Sequence, residues 1–383
     1  MLPRFLTPED YGLAALVLTT YEFTRTFTRF GLHAKLIQAS DDEIEELSES
    51  AFWLNLVLFV SLFVLQCTLA FPVAWFYDND RLVLPICVLA ITFLIVPVGQ
   101  IQSSLIQREN RLKDYAMAQS LRYTTANILT AVFAVAGFGL WAIVLPRVIA
   151  APIEYTILLR KHKWRPSKGF STHRWGEIIK FGFNILGVQL LQTARENMDY
   201  LIVGRFIGIR ELGFYYFAYN AGLGISLTIV NSITTALLPY LCAARETLSQ
   251  LKTAFLSSLK TIAAVIIPFV ILQATAARFY VPLVFGEEWV PAVPILVLIC
   301  ISAIPRPFDQ ASFYLLTAVD RSGVGLLWNI GFTLLFGLSL LVGVQFGALG
   351  VAISVVTVYF CFVPTYLLWS MRYVFVARKG FLT

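Results

Sequence analysis

The chain has 383 residues, of which 58% are hydrophobic and only 14% charged, and its mean hydropathy is +0.74. This balance excludes an ordinary soluble domain, in which about a quarter of the residues carry a charge. The net charge of +6 comes largely from lysines and arginines that flank apolar stretches, so it indicates membrane topology and does not indicate nucleic-acid binding.

Eleven apolar stretches follow one another along the chain. A transmembrane helix needs about 20 apolar residues, and these runs are too long and too continuous for the strands of a membrane barrel. The sequence therefore predicts an all-α polytopic membrane protein. The predicted spans are 13–31, 51–76, 83–106, 115–135, 140–159, 181–203, 212–241, 253–277, 291–318, 323–342 and 349–371.

Three segments recur in the same order in the second half of the chain, which indicates an internal duplication. Residues 4–13 recur at an offset of 201, residues 76–89 at an offset of 209 and residues 137–143 at an offset of 210. In membrane chains built from two homologous halves, the substrate site usually lies where the halves meet. We therefore expect two pseudo-symmetric helical bundles around a central cavity.

The spans divide unequally between the two halves. Residues 1–160 are predicted to form an N-terminal bundle of five spans, residues 161–180 a basic cytoplasmic linker, and residues 181–383 a C-terminal bundle of six spans. The repeated segment at 205–214 follows a complete span, whereas only three residues precede its counterpart at 4–13. We therefore expect that the chain as given lacks the first helix of the first bundle.

Lysines and arginines are distributed unequally over the two sides of the predicted membrane. When the polar segments are numbered alternately from the N-terminus, 5 basic residues fall on the side of the N-terminus and 18 on the opposite side. Basic residues stay on the cytoplasmic side. The pattern predicts a cytoplasmic C-terminus, a cytoplasmic Lys168 and an extracytoplasmic Glu287.

Arginines inside the predicted spans are the first candidates for a substrate site. A charge in hydrocarbon costs at least about 2.5 kcal/mol on insertion scales, so such a residue normally faces a polar cavity or a partner. The arginines that we assign to a substrate site are Arg25, Arg122, Arg195 and Arg306. Glu22 precedes Arg25 by about one helical turn, so the structural alternative for Arg25 is an ion pair within that helix.

The span 181–203 carries a polar stripe, formed by Gln189, Gln192, Glu196 and Asp199. These residues are three or four positions apart, so they share one helix face, and Arg195 lies beside them. A helix that faces lipid would not carry such a stripe. The stripe is either a structural network, such as an Arg195–Asp199 pair, or a cavity wall.

Polar residues in other spans are weaker candidates. Arg147 and Glu154, seven residues apart, share one helix face. Pro305 is expected to bend the helix directly before Arg306. Asn220 lies in a long span whose glycines permit a kink.

Three segments carry a resemblance to a known family: RFLTPEDYG at 4–12, DYLIVGRF at 199–206 and FGEEWVP at 285–291. In these segments the chain resembles the polysaccharide transporter family, the flippases for lipid-linked O-antigen and exopolysaccharide repeat units within the MOP flippase superfamily. The resemblance implies translocation of an undecaprenyl-pyrophosphate-linked oligosaccharide from the cytoplasmic to the periplasmic leaflet of the bacterial inner membrane.

The implied substrate suggests roles for the polar residues. Guanidinium groups pair bidentately with phosphate oxygens. We therefore expect Arg25 and Arg195 to clamp the pyrophosphate, while Arg122 and Arg306 extend the positive field. The carboxylates expected to couple transport to H⁺ or Na⁺ are Glu22, Glu196 and Asp199. The residues expected to line the cavity are Gln189, Gln192 and Asn220, and the tyrosines Tyr215, Tyr216 and Tyr219 either contact the glycan or belong to the aromatic belt of the membrane.

Two other functions were weighed against a flippase. A multidrug antiporter of the same superfamily is disfavoured because the expected cavity is cationic, and a membrane-embedded glycan polymerase or ligase is disfavoured because every outward loop is short. The three histidines lie at or beyond span ends and no P-loop is present, so we expect no catalytic residue, metal or cofactor. The expected partners are the lipid-linked oligosaccharide and membrane lipids.

Overall fold

The computed structural model describes residues 2–29, 32–167 and 169–375. Helices and helical turns are the only regular structure in these ranges, so the predicted all-α class is confirmed. The chain packs as two compact units, Met1–Asn197 and Met198–Thr383, which we call the first and the second unit. Lys168 lies outside the described residues.

The first unit contains seven complete α-helices and most of an eighth. They are α1 (Pro8–Thr26), α2 (Leu32–Gln38), α3 (Ile44–Phe76), α4 (Val83–Ile95), α5 (Pro97–Arg108), α6 (Leu112–Val135), α7 (Trp141–Lys161) and α8 (Trp175–Phe206). The boundary between the units falls inside α8. The predicted domain limits at 160 and 181 stay a prediction.

The remaining α-helices belong to the second unit. They are α9 (Ile209–Ala218), α10 (Gly224–Thr234), α11 (Leu237–Ala243), α12 (Leu248–Tyr280), α13 (Val293–Ile301), α14 (Arg306–Ala318), α15 (Ser322–Gly343) and α16 (Gly347–Phe375). Each of the eleven predicted spans overlaps one helix or a run of consecutive helices.

Long apolar helices identify the chain as a multi-pass membrane protein. In the described residues, five helical segments are long and apolar enough to cross a bilayer, or six if the bent pair Asp80–Ile95 and Pro97–Arg108 is one span. The five are Ile44–Phe76, Trp141–Lys161, Leu248–Phe285, Glu287–Ala318 and Gly323–Phe375. The shorter or more polar helices do not meet this criterion, so the count of eleven spans stays a prediction.

Helix interruptions recur at equivalent places in the two units. The chain bends by 51° between α4 and α5, where Pro97 follows Val96. At the corresponding place in the second unit α13 ends at Ile301 and α14 begins at Arg306, directly after Pro305. Proline cannot donate to the preceding turn of a helix. The helix is interrupted directly before Arg306, and the bend expected at Pro305 stays a prediction.

A left-handed glycine also recurs. Gly137 (φ 79°) lies in the turn between α6 and α7, and Gly347 (φ 74°) is the first residue of α16. Glycine adopts this conformation without the steric cost of a Cβ atom. A glycine with a positive φ at two positions that are 210 residues apart supports the internal duplication.

The basic segment between α7 and α8 is docked on the first unit. Ser167 donates its backbone N–H and its hydroxyl to the buried carboxylate of Glu49, at 2.6 and 2.8 Å. Farther along, Arg174 donates to Glu43 at 2.9 Å. That guanidinium lowers the pKa of Glu43 below its usual range. The acidic start of α3 therefore binds part of the predicted linker.

Candidate functional site

A buried carboxylate lies at the start of the second unit. Asp199 is 4% exposed. The Tyr215 hydroxyl donates to its Oδ2 at 2.9 Å, and the backbone N–H of Tyr200 donates to its Oδ1 at 3.0 Å. A buried charge is costly unless it is hydrogen-bonded or paired. Two donors hold this carboxylate in one position.

Arg306 supplies positive charge to the same neighbourhood. Its guanidinium lies over the Tyr359 ring, 4.4 Å from the centroid, and interacts electrostatically with Asp199. The interruption after α13 places Arg306 at the first position of α14. We call Asp199, Tyr200, Tyr215, Arg306 and Tyr359 the Asp199 cluster. It contains an acid, a cation and aromatic faces inside one unit.

Tyrosines extend this cluster along α9. The Tyr200 ring packs edge-to-face against Tyr215, Tyr216 and Tyr219, with centroid distances of 6.1, 5.3 and 5.4 Å. Tyr215 is fully buried and bonded to Asp199, so it supports the carboxylate instead of contacting a glycan. Tyr216 and Tyr219 are half-buried. Aromatic pairs of this geometry contribute about 0.5–1.5 kcal/mol each beyond area burial.

A π-helical turn, Tyr219–Leu223, follows these tyrosines and positions Asn220. The Gln273 amide donates to the carbonyl oxygens of Ala221 and Gly222 at 3.0 and 2.8 Å. Carbonyl groups released by the wider turn thereby find a donor on α12. The helix widens at Asn220, and the kink that the glycines of this span permit stays a prediction. Asn220 itself is exposed and donates to the Tyr216 carbonyl at 2.7 Å.

In the first unit, Arg25 forms an ion pair with Glu22 on the same helix, which was the structural alternative to substrate binding. Its guanidinium lies 2.7 Å from the Glu22 carboxylate, and the two side chains are 38% and 37% exposed. Both residues are therefore open to their surroundings, although their charges compensate each other. Substrate binding by Arg25 and ion coupling by Glu22 stay predictions.

Arg122 is paired across two helices. Its Nε atom on α6 lies 2.7 Å from the Glu154 carboxylate on α7, and these side chains are 24% and 6% exposed. Arg147, which shares a face with Glu154 in the sequence, instead donates to the Ile143 carbonyl at 2.7 Å. Substrate binding by Arg122 stays a prediction, but part of its charge is balanced within the first unit.

Replacing Glu154 with alanine should destabilise the first unit by about 3–5 kcal/mol, because it leaves the Arg122 charge without its partner. The thermal unfolding of the purified protein, followed by size-exclusion chromatography, measures this effect. Asp41→Ala is the matched control, since Asp41 pairs with Arg108 but is 95% exposed. Unchanged stability of Glu154→Ala would contradict a structural role for the pair.

The polar stripe on α8 makes hydrogen bonds within this helix and to α9. Gln192 donates to the exposed Glu196 at 2.8 Å. Thr193 exchanges a hydrogen bond with Thr26 of α1 at 2.8 Å, which ties this part of α8 to the first unit. Gln189 and Arg195 are half-buried on the same helix. Their roles in the cavity lining and in substrate binding stay predictions.

Two contacts of the candidate site could not be recognised from the sequence. The Arg122–Glu154 pair joins residues from different helices, and no periodicity within one helix reveals it. Tyr359 is 53 positions after Arg306, and it looks in the sequence like any aromatic residue of an apolar span. Within the described residues, no group of three or more metal-ligating side chains comes together.

The chain is similar in sequence to proteins of polysaccharide biosynthesis. Residues 1–294 match the family model described as polysaccharide biosynthesis protein. The teichuronic acid biosynthesis protein TuaB of Bacillus subtilis is 31% identical over 334 residues, which cover 85% of this chain and 68% of TuaB.

Solved structures share the fold at lower identity. A multidrug resistance MATE family transporter of the MOP superfamily, in its inward-facing conformation, has a TM-score of 0.82 and 13% identity, with 99% of this chain and 94% of that chain covered. The lipid II flippase MurJ has a TM-score of 0.76 and 15% identity, with 96% and 82% covered. At these identities the structures establish a common fold.

Proposed function

Because this chain belongs to the polysaccharide biosynthesis protein family, we propose that it is a flippase that translocates a lipid-linked oligosaccharide for the synthesis of a cell-surface polysaccharide. It acts as a transporter and not as an enzyme. The substrate carries a pyrophosphate between a polyprenyl tail and a hydrophilic glycan. The proposal places the protein in the bacterial inner membrane.

The Asp199 cluster is the observation that carries this proposal beyond family membership. A transporter of an anionic lipid needs a cation held in the membrane helices, since a fixed guanidinium pairs with phosphate oxygens in a medium of low dielectric. Arg306 has a defined position over Tyr359 at 4.4 Å, and it is only half-buried. Aromatic rings beside it suit the sugar next to the pyrophosphate.

In the first unit, we assign Arg195 to the same substrate and keep Arg25 and Arg122 as supporting positive charges. Arg195 is half-buried on a helix face that also carries Gln189 and Gln192. Arg25 and Arg122 have carboxylate partners that balance part of their charge.

Coupling to H⁺ or Na⁺ is assigned first to Asp199. Its burial makes the charge state of the carboxylate sensitive to any ion that binds next to it. Glu196 is exposed and Glu22 is already paired, so each is a weaker candidate.

Complementation tests the proposed transport. The chain is expressed in a bacterial strain that has lost the flippase of a defined surface polysaccharide, in parallel with a version that carries an additional N-terminal span. Polymer should return to the cell surface, and the lipid-linked repeat unit should stop accumulating in the cytoplasmic leaflet. Continued accumulation in strains that represent several glycan types, with the protein present in the membrane, would contradict the proposal.

The multidrug alternative rests on the shared fold alone. A TM-score of 0.82 at 13% identity establishes architecture and not substrate. Export of cationic dyes by cells that express this chain, without any effect on polysaccharide, would favour the alternative.

Orientation is proposed from the distribution of basic residues. Glu287→Cys should react with an impermeant thiol reagent in intact cells, and Lys163→Cys should react only after the cells are opened. Both side chains are exposed, so access depends on the membrane side. The background variant lacks the five native cysteines. Labelling of position 163 from outside would reverse the proposed topology.

A further inference from the structure

A pocket of about 320 Å³ lies in the first unit and shares no residue with the Asp199 cluster. It is bounded by the start of α1, the start of α4 and the turn between α6 and α7, and it is lined by Asp10, Asp80, Arg81, Phe138 and Trp141 among others. Its volume is at the lower end of the about 300–1,000 Å³ typical of ligand pockets. The space fits one small ligand.

The carboxylate of Asp10 is built into the floor of this pocket. It accepts a hydrogen bond from the Leu140 backbone N–H at 3.3 Å and one from the Thr7 hydroxyl at 2.9 Å. A Cβ atom at Gly139 (φ 53°) would approach the Asp10 carboxylate to 3.1 Å. The glycine therefore permits the turn to close over this acid.

The charge of the pocket is negative. Arg81 is its cation, and it lies 2.9 Å from Glu9 and 3.8 Å from Asp10. The charged residues of the lining are therefore two acids, Asp10 and Asp80, and one base, Arg81, which also pairs with Glu9 outside the lining. A phosphate would therefore be repelled, while a neutral ligand with many hydroxyl groups would find acceptors in the acids and a donor in Arg81.

Aromatic side chains supply a flat apolar wall. Phe138 stacks on Phe133 with a centroid distance of 5.0 Å and is still 47% exposed. Trp141 is half-buried at the first position of α7. Carboxylates next to an open aromatic face suit a sugar ring, whose hydroxyl groups donate at the edge and whose C–H groups pack on the face.

The second unit serves as an internal control, since it is a copy of the same fold. At the offsets of 209 and 210, the positions of Asp80, Arg81, Phe138 and Trp141 correspond to Trp289, Val290, Ala348 and Val351. Trp289 is fully buried and its ring lies 4.4 Å from that of Phe217. The fold therefore does not require the polar and aromatic residues that line the pocket of the first unit. These residues can serve ligand binding instead.

We infer that this pocket binds a neutral sugar residue of the translocated glycan on the extracytoplasmic side of the membrane. The inference rests on the proposed function and on the proposed orientation. It assigns the first unit a glycan subsite that is separate from the residues assigned to the pyrophosphate. A sugar held there would keep the glycan from returning while the lipid carrier completes its passage.

Saturation-transfer NMR on the full chain in lipid nanodiscs tests the subsite. The probes are glucose, galactose and N-acetylglucosamine, and inorganic pyrophosphate is followed separately by its phosphorus signal. At least one sugar should receive saturation from the protein, and the double variant Asp80→Asn/Phe138→Ala should reduce that signal at least about fivefold. Phe346→Ala is the matched control, because Phe346 is an exposed aromatic residue in the equivalent turn of the second unit.

Complementation in parallel separates this inference from the proposed function. A wild-type chain that restores polysaccharide but binds no sugar, or binds it equally well in the double variant, overturns the subsite alone. Sugar binding that depends on Asp80 and Phe138 in a chain that fails to restore polysaccharide supports the subsite and contradicts the flippase. Pyrophosphate binding that is lost in Arg81→Ala would replace the sugar by an anion and overturn the inference.

Discussion

Replacing Arg306 with alanine should reduce export of the glycan about 30-fold or more while folded protein remains in the membrane. Truncating one partner of a charge-assisted contact that the bound substrate buries costs about 2–5 kcal/mol, and 1.4 kcal/mol corresponds to a factor of ten. The guanidinium is held over Tyr359, so its loss removes a cation whose position is already fixed. The measurement is the amount of surface polysaccharide relative to the amount of protein in the membrane.

Two further variants test whether the loss of export is caused by the missing guanidinium group of Arg306. Arg306→Lys should recover only part of the export, because an ammonium group does not reproduce the planar fork of a guanidinium. Arg147→Ala is the matched control, since Arg147 is also an arginine of a membrane helix but donates to a carbonyl oxygen of its own helix. Its export should stay close to that of the wild type.

A structural role for Arg306 leads to a different outcome. If Arg306 mainly balances Asp199, Arg306→Ala lowers the amount of folded protein and the additional change Asp199→Asn restores it. Export by that double variant equal to the export by Asp199→Asn alone would contradict substrate binding by Arg306.

Local features of the fold were predictable from the sequence. Apolar length located the helices, Pro305 located the interruption before Arg306, and the repeated glycines located two equivalent turns. The Glu22–Arg25 pair was also visible, because residues three positions apart meet on one helix face. Each of these features depends on neighbours in the chain.

Features of the candidate site that depend on packing were not predictable. Tyr215 on α9 reaches Asp199 on α8 across the turn between these helices, in which Gly208 has a φ of 124°. Arg122 finds Glu154 on the next helix for the same kind of reason. A helical periodicity describes one face of one helix, and it carries no information about which face comes to lie opposite.

Replacing Asp199 with asparagine should remove the dependence of export on an ion gradient without unfolding the protein. Asparagine has nearly the same volume. Its carbonyl oxygen can accept from the Tyr200 backbone N–H, and its amide group can donate to the Tyr215 hydroxyl oxygen, which lies 2.9 Å from Oδ2 of Asp199. The change removes the charge that an H⁺ or Na⁺ ion would neutralise. Uptake of lipid-linked oligosaccharide into inverted vesicles, measured with imposed proton and sodium gradients in turn, identifies the ion.

Glu196→Gln and Tyr215→Phe separate charge from packing in this experiment. Glu196 is an exposed carboxylate on the same helix, so its neutralisation should leave the gradient response in place. Tyr215→Phe keeps the Asp199 charge but leaves its Oδ2 without the hydroxyl donor, which should cost about 1–3 kcal/mol of stability and preserve coupling. A gradient response that survives in Asp199→Asn and disappears in Glu196→Gln would transfer the coupling role to the exposed carboxylate. Asp199 would then serve only its hydrogen bonds to Tyr215 and Tyr200.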